Sequence, residues 1–279
     1  ELKVLNRSNG VTLSEVLLID ETFVTVFTID RSHVRNALDL ETMKALSTYV
    51  SDMTPSLHRI AIILKGAGGS FISGGDLKAL HDQRDQAHAQ EMSQLMRNTL
   101  DELSALPCLL IMTAEGAIIG GGAEVFLAGD FRVMSESAEV RFAQSALGLC
   151  TGWGGGRRLA QIVGPSKGLA LMLEATPLSS KVCDMLGIAH RIVPTGETLT
   201  STLKWLRDLS LVPEAIRELK RLFKDDRFAE INTREDHIFP RLWAGDEHWL
   251  AVDRMWSSKK GRSLATEMAV VDEKSNHQV

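Results

Sequence analysis

Two glycine clusters are placed where chemistry could occur, GAGGSFISGGDL at 66–77 and GAIIGGGAEVFLAGD at 116–130. Each follows a short apolar run and leads toward a helix. Glycines at such junctions permit positive φ and let a ligand approach backbone N–H groups closely, and a helix start adds the positive end of its dipole. A site for an anion, or for an oxyanion developing on a carbonyl, is built in this way. Tight turns needed only for packing are the alternative, and two such loops in one chain weigh against it. Nucleotide motifs do not fit: a P-loop ends in Gly-Lys-Ser/Thr, which neither cluster has, and Gly66, Gly68 and Phe71 break the G-x-G-x-x-G fingerprint. No G-x-S-x-G elbow or H-E-x-x-H pair occurs, and the eight histidines form no ligand set. His81 and His88 share a helical face in a polar stretch and read as solvated, so neither metal nor cofactor is expected.

The elements that must carry these loops follow from periodicity. Residues 12–29 form two β-branched, apolar segments around Asp20 and Glu21, which predicts a hairpin. Leu40, Met43, Leu46 and Val50 recur at helical spacing behind a possible Asp39 cap. Ile60–Leu64 is a continuous apolar run of the kind buried on both faces of a sheet, and it ends in GAGG. Residues 81–104 read as a helix stopped at Pro107, after which another buried strand runs into the second glycine cluster. Strand, loop and helix in alternation predict an α/β domain with mostly parallel central strands and a ligand site at their carboxyl ends. Beyond Pro165 the pattern is mainly helical and holds four of the five tryptophans. That region reads either as a plain docking element or as a subunit interface.

Composition bounds the rest. The chain has 279 residues, 31 Lys plus Arg against 36 Asp plus Glu, and a net charge of -5. This suits one soluble domain with an appendage and argues against a protein that coats nucleic acid. Cys108, Cys150 and Cys183 are odd in number and widely spaced, so neither a disulfide framework nor a zinc ribbon is encoded. No run reaches the roughly 18 apolar residues of a membrane span. The cytosol is the expected compartment, with the mitochondrial matrix as the alternative.

Four segments in order and spacing, TIDRSHVRNAL, GAGGSFISGGDL, EGAIIGGGAEVFLAGDFRVMSESAEVRFA and GLCTGWGGGRRLAQIVG, resemble the enoyl-CoA hydratase/isomerase (crotonase) superfamily over about residues 12–195. FPRLWAGDEHWLAVDRMWSSKKGR and FAQSALGLCTGWGGG further resemble the branch containing ethylmalonyl-CoA decarboxylase. The resemblance implies an α/β spiral of ββα units at 1–195, a helical region at 196–279 that builds a trimer or dimer of trimers, and a CoA thioester substrate. It also implies that the N–H groups of Gly75 and Gly121 bind the thioester oxygen as an enolate forms, with Glu124 as the catalytic carboxylate that protonates the enolate or positions the substrate or a water; a buried structural Glu124 satisfied by backbone donors is the alternative. By proximity, Ser73, Ala117 and Ile118 are expected to line the thioester channel, and Trp153 to wall the acyl pocket. Arg35, Lys78, Lys259 and Lys260 are candidate cations for the CoA phosphates, with a solvated surface role as the alternative for Arg35 and Lys78, and Asp76 is expected to fix its loop.

Hydratases of this family use a second glutamate, in a segment like F-x-x-P-E-x-x-L-G. Here the segment runs from Phe142 to Gly148, two residues shorter and without an acid. Glu139 lies on the far side of Phe142, and Glu115 stands where the family is usually polar and neutral. One acid beside an oxyanion hole suits loss of CO2 from ethylmalonyl-CoA or methylmalonyl-CoA, because bond cleavage itself generates the enolate. Hydration or isomerisation through Glu124 is the enzymatic alternative. An RNA-binding or scaffold role is the non-enzymatic one, and stabilisation by RNA but not by CoA esters would distinguish it.

Overall fold

In the computed structural model, which describes residues 2–19, 21–82, 84–209, 212–223, 236, 239–246, 248–250, 252–254 and 256–257, the chain opens on three antiparallel strands. They are β1 (Lys3–Ser8), β2 (Val11–Leu17) and β3 (Phe23–Ile29). β2 and β3 are the expected hairpin. β1 is exposed along its whole length, so its sequence carries no burial pattern and only its ladder to β2 marks it.

From β3 onward the sheet is parallel. β4 (Arg59–Gly66), β5 (Leu109–Ala114), β7 (Phe131–Ser135) and β10 (Arg191–Val193) extend it in the order β1-β2-β3-β4-β5-β7-β10. A second sheet is built from β6 (Ala117–Ile119), β8 (Glu139–Arg141) and β9 (Leu178–Ser179). Because side chains alternate along a strand, both faces of the main sheet are apolar. Phe27, Ile29, Ile62, Leu64, Leu110 and Met112 face one cluster, and Val24, Val26, Ala61, Ile63 and Ile111 face the other.

Helices close both faces. α1 (Leu40–Ser51) and α2 (Gln86–Ala105) cover the first with Met43, Leu46, Met96 and Leu100. The Asp39 carboxylate accepts the Thr42 N–H at 2.8 Å, as the cap reading expected, a bond that typically stabilises a helix by about 1 kcal/mol. α2 begins at Asp85, later than its periodicity suggested: residues 77–82 form turns, and the Asp85 side chain accepts the His88 N–H. α7 (Thr198–Asp208) and α8 (Pro213–Leu222) cover the second face with Leu203, Leu206 and Ile216. Glu115 anchors this layer, since its carboxylate accepts from Gly196 N at 3.1 Å and Thr198 N at 3.2 Å, at the start of α7. Between β9 and β10 lies α6 (Ser180–Met185), and α5 (Pro165–Glu174) follows α4 (Gly155–Val163). No helix among the described residues is long and apolar enough to cross a membrane.

Candidate active site

The two glycine loops meet because each is bonded to the other and to a third segment. Asn36, fully buried, donates its amide to Ala67 O at 2.8 Å and Ser70 O at 2.9 Å and so holds the first loop. Phe71 N donates to Glu115 O and Ile119 N to Ile72 O, which aligns that loop with the second. On its other side, Leu38 N donates to Gly74 O and Asp76 N to Leu38 O, each at 2.8 Å. Gly75 sits between those two bonds, and among the described residues its own N–H has no backbone acceptor.

The second donor is placed by Gly120, whose φ of 55° and ψ of -119° belong to a region that essentially only glycine occupies. This bend starts α3 (Gly121–Phe126) and leaves the Gly121 N–H, one of the unpaired donors at a helix start, free of backbone acceptors. A Cβ built on Gly74 would lie only 3.4 Å from Gly121 N, so the two loops touch where the two N–H groups are presented. Gly75, in contrast, is followed by turns and not by a helix start, so helix-dipole support is confined to the second donor.

Trp153 is the common neighbour of both glycines. It is 4% exposed, and Cβ atoms built on Gly121 and Gly75 would lie within 2.7 Å and at 4.0 Å of its indole. The residue suspected of walling the acyl pocket therefore seats the two N–H donors.

Glu124, on α3 and 3% exposed, is held on both oxygens. Oε2 accepts from Trp153 N at 2.7 Å and Gly155 N at 2.9 Å, and Oε1 from Gln144 Nε2 at 3.1 Å and Gly152 N at 3.4 Å. Acceptor-only chemistry of this kind matches an ionised carboxylate. Gln144 belongs to segment 142–148, which carries no acid, and the group it sets beside Glu124 is a neutral amide. Glu139 does not compensate: it is exposed at the start of β8.

A cavity of about 90 Å³ lies against these groups, lined among others by Ser73, Gly75, Gly121, Glu124, Gln144 and Trp153. Ala117 and Ile118, expected in the channel, are not among its walls. They belong to β6, where strand alternation turns Ile118 fully into the core and leaves Ile119 at the cavity. Arg35 and Lys78 are exposed on the two segments joined at Leu38 and Gly75. Asp76 accepts from Ala79 N and pairs with Arg31 at 3.2 Å, and Arg31 also pairs with Asp39 at 2.7 Å, so Asp76 is tied into the loop scaffold. Lys259 and Lys260 lie outside the described residues. A larger groove of about 1,250 Å³ lies elsewhere, between α7, α8 and the core, and includes neither oxyanion glycine.

Phe239 and Trp243 also line the small cavity. Their segment is fastened to the core by an ion pair between Arg97 and Asp236, by Trp249 Nε1 donating to Trp243 O at 2.8 Å, and by His248 Nδ1, 2.6 Å from Leu147 O. His81 is not merely solvated: its ring packs edge-on against Trp249 at 5.5 Å between centroids. His248 is fully buried, and that burial, aided by Arg84, holds its pKa below the ordinary value despite the bond to Leu147 O. A base with a depressed folded pKa binds fewer protons folded than released, so docking of this segment should weaken as pH falls below about 6.5. Tryptophan fluorescence between pH 8 and 5 should report the loosening, and His248→Phe should flatten the profile. An identical profile in that variant would exclude His248 as its source.

A family model described as enoyl-CoA hydratase/isomerase matches residues 20–236. Ethylmalonyl-CoA decarboxylase of Bos taurus is 30% identical over 238 residues, covering 83% of this chain and 78% of the relative. That of Xenopus laevis is 32% identical over 216 residues, covering 75% and 72%. Among solved structures, an enoyl-CoA hydratase from Bacillus halodurans superposes with a TM-score of 0.76 at 20% identity, covering 87% of this chain and 99% of that one. An enoyl-CoA hydratase/isomerase from Pseudoalteromonas atlantica T6c gives 0.74 at 22%, covering 90% and 98%.

Proposed function

Since the chain belongs to the enoyl-CoA hydratase/isomerase (crotonase) superfamily, whose members act on CoA thioesters, we propose that it is a carbon–carbon lyase that removes CO2 from ethylmalonyl-CoA or methylmalonyl-CoA. One observation carries the reading: two backbone N–H groups without backbone acceptors among the described residues lie beside one carboxylate, Glu124, whose partner from the acid-free segment 142–148 is an amide, Gln144. The ethylmalonyl-CoA decarboxylases at about 30% identity support it.

In this mechanism the thioester oxygen lies between Gly75 N and Gly121 N. As the bond from the α-carbon to the carboxylate breaks, its electron pair enters the enolate, CO2 leaves, and negative charge settles on the oxygen facing the two donors. Preorganised donors of this kind act where charge develops, and each is worth about 3 to 4 kcal/mol. No base is needed, and the α-carbon then takes one proton that originates in solvent. Glu124 has both oxygens engaged by N–H groups, so its part is to hold the Trp153 backbone and the Gln144 amide in place, as a positioning residue.

Incubating the purified protein with methylmalonyl-, ethylmalonyl-, crotonyl- and 3-enoyl-CoA and following product mass tests this directly. Loss of 44 mass units from a branched malonyl ester is expected. Rapid hydration of crotonyl-CoA with no CO2 from either malonyl ester would transfer the assignment to a hydratase. A homotrimer or dimer of trimers is proposed with this function, supported by Leu169 and Leu173 on α5 and Met185 on α6, which are apolar and exposed. Light scattering would give a mass of three or six chains.

A further inference from the structure

The catalytic groups account for part of the lining of the small cavity; another part is apolar and comes from a distant part of the chain. Phe239 and Trp243, 5% and 4% exposed, pack on each other with ring centroids 5.7 Å apart and line the cavity together with the glycine loops. Phe239 lies so close to the backbone of the Trp153 loop that a Cβ on Gly152 would fall 2.6 Å from its ring. There is no slack in that direction for the ring to retreat. On α2, Met92 adds a third apolar side chain to the wall. The volume of about 90 Å³ is far below the roughly 300–1,000 Å³ that takes up a whole drug-sized ligand, so it suits the short end of an acyl group.

We infer that Phe239, backed by Trp243, sets the acyl-length limit of this enzyme by closing the pocket from the same chain, restricting substrates to short branched or linear acyl groups. The inference rests on the acyl-CoA reading above but not on which bond is broken. A rigid aromatic end wall discriminates by excluding added methylenes, since each one that does not fit loses its own burial and displaces the ring behind it. The fastenings of the segment, Arg97 with Asp236 and Trp249 Nε1 with Trp243 O, keep that wall from opening for a longer chain.

The test uses the full-length protein and saturated acyl-CoA esters that undergo no reaction. Dissociation constants for butyryl-, hexanoyl- and octanoyl-CoA should rise along the series in the wild type by about tenfold or more overall. In Phe239→Ala the series should flatten to within about threefold, octanoyl-CoA gaining most. Phe239→Leu, which keeps an apolar side chain and guards against a folding defect in the alanine variant, should move the series the same way by a smaller factor. Equal affinity for all three esters in the wild type, or an unchanged series in a folded variant at position 239, would overturn the inference. The decarboxylase reading fails separately, if wild-type protein that binds butyryl-CoA releases no CO2 from either ethylmalonyl-CoA or methylmalonyl-CoA.

Discussion

Glu124→Gln is expected to lower the melting temperature of the protein as well as its turnover. The two carboxylate oxygens of Glu124 take N–H donors that include those of Gln144, Gly152, Trp153 and Gly155. A glutamine offers one oxygen and one NH2 group. Whichever way the amide is turned, its NH2 meets two N–H donors, Trp153 and Gly155 on one side or Gln144 and Gly152 on the other. Unsatisfied buried donors cost about 1 to 3 kcal/mol, which for a chain of this size corresponds to a loss of several degrees in Tm. Turnover should fall by about tenfold or more, because the same donors fix the loop that carries Trp153 against the oxyanion glycines. The pairing of the two effects is diagnostic. A carboxyl group acting only as a proton donor would lose turnover in this variant at nearly constant Tm, and an idle one would lose neither. Calorimetry together with CO2 release from ethylmalonyl-CoA separates the three cases.

From the sequence that role for Glu124 was one of several alternatives, whereas the loops could be read outright. The two glycine loops were legible because their requirement is local: a strand must end and the backbone must turn through conformations that suit glycine, as at Gly74 and Gly120, all within a dozen residues, whereas Gly75 and Gly121 within them were indicated by the resemblance. The hairpin of β2 and β3, the Asp39 cap and the buried strands β4 and β5 were legible for the same reason. What was not legible is whatever depends on chain segments meeting over long distances. β6 has three residues and exists only by pairing with β8, so Ile118 looked like a channel residue when it is core. Phe239 and Trp243 lie more than 110 residues beyond the glycine loop with which they line the cavity, and nothing in their spacing distinguishes a pocket wall from an ordinary apolar helix face. Gln144 lies in a shortened segment without an acid, and only its amide on Glu124, a contact across 20 residues of chain, marks it as part of the site.

Gly121→Ala should nearly abolish catalysis, and a second substitution should recover part of it. Gly121 has no positive φ, so alanine is compatible with its backbone and even with its place at the first position of a helix. The obstacle is Trp153, because the added methyl would sit 2.7 Å or less from three carbons of its indole, against ordinary carbon contacts of about 3.5 to 4.0 Å. Either the indole or the start of α3 must shift, and both carry the geometry of the oxyanion hole. Loss of one donor costs about two to three orders of magnitude in kcat. KM should change much less, since the remainder of the thioester is held elsewhere. If collision with Trp153 is the cause, Trp153→Leu should relieve it. The double variant Gly121→Ala/Trp153→Leu should then turn over faster than Gly121→Ala alone, even though Trp153→Leu by itself removes packing from Gly75 and slows the enzyme. Such non-additivity between touching residues is typically about 0.5 to 3 kcal/mol. Steady-state kinetics on the four proteins of this cycle measures it, with circular dichroism to confirm folding. Losses that simply multiply would show that Trp153 does not seat the donors, and a Gly121→Ala protein within about threefold of wild type would show that contact with Trp153 does not displace the Gly121 N–H.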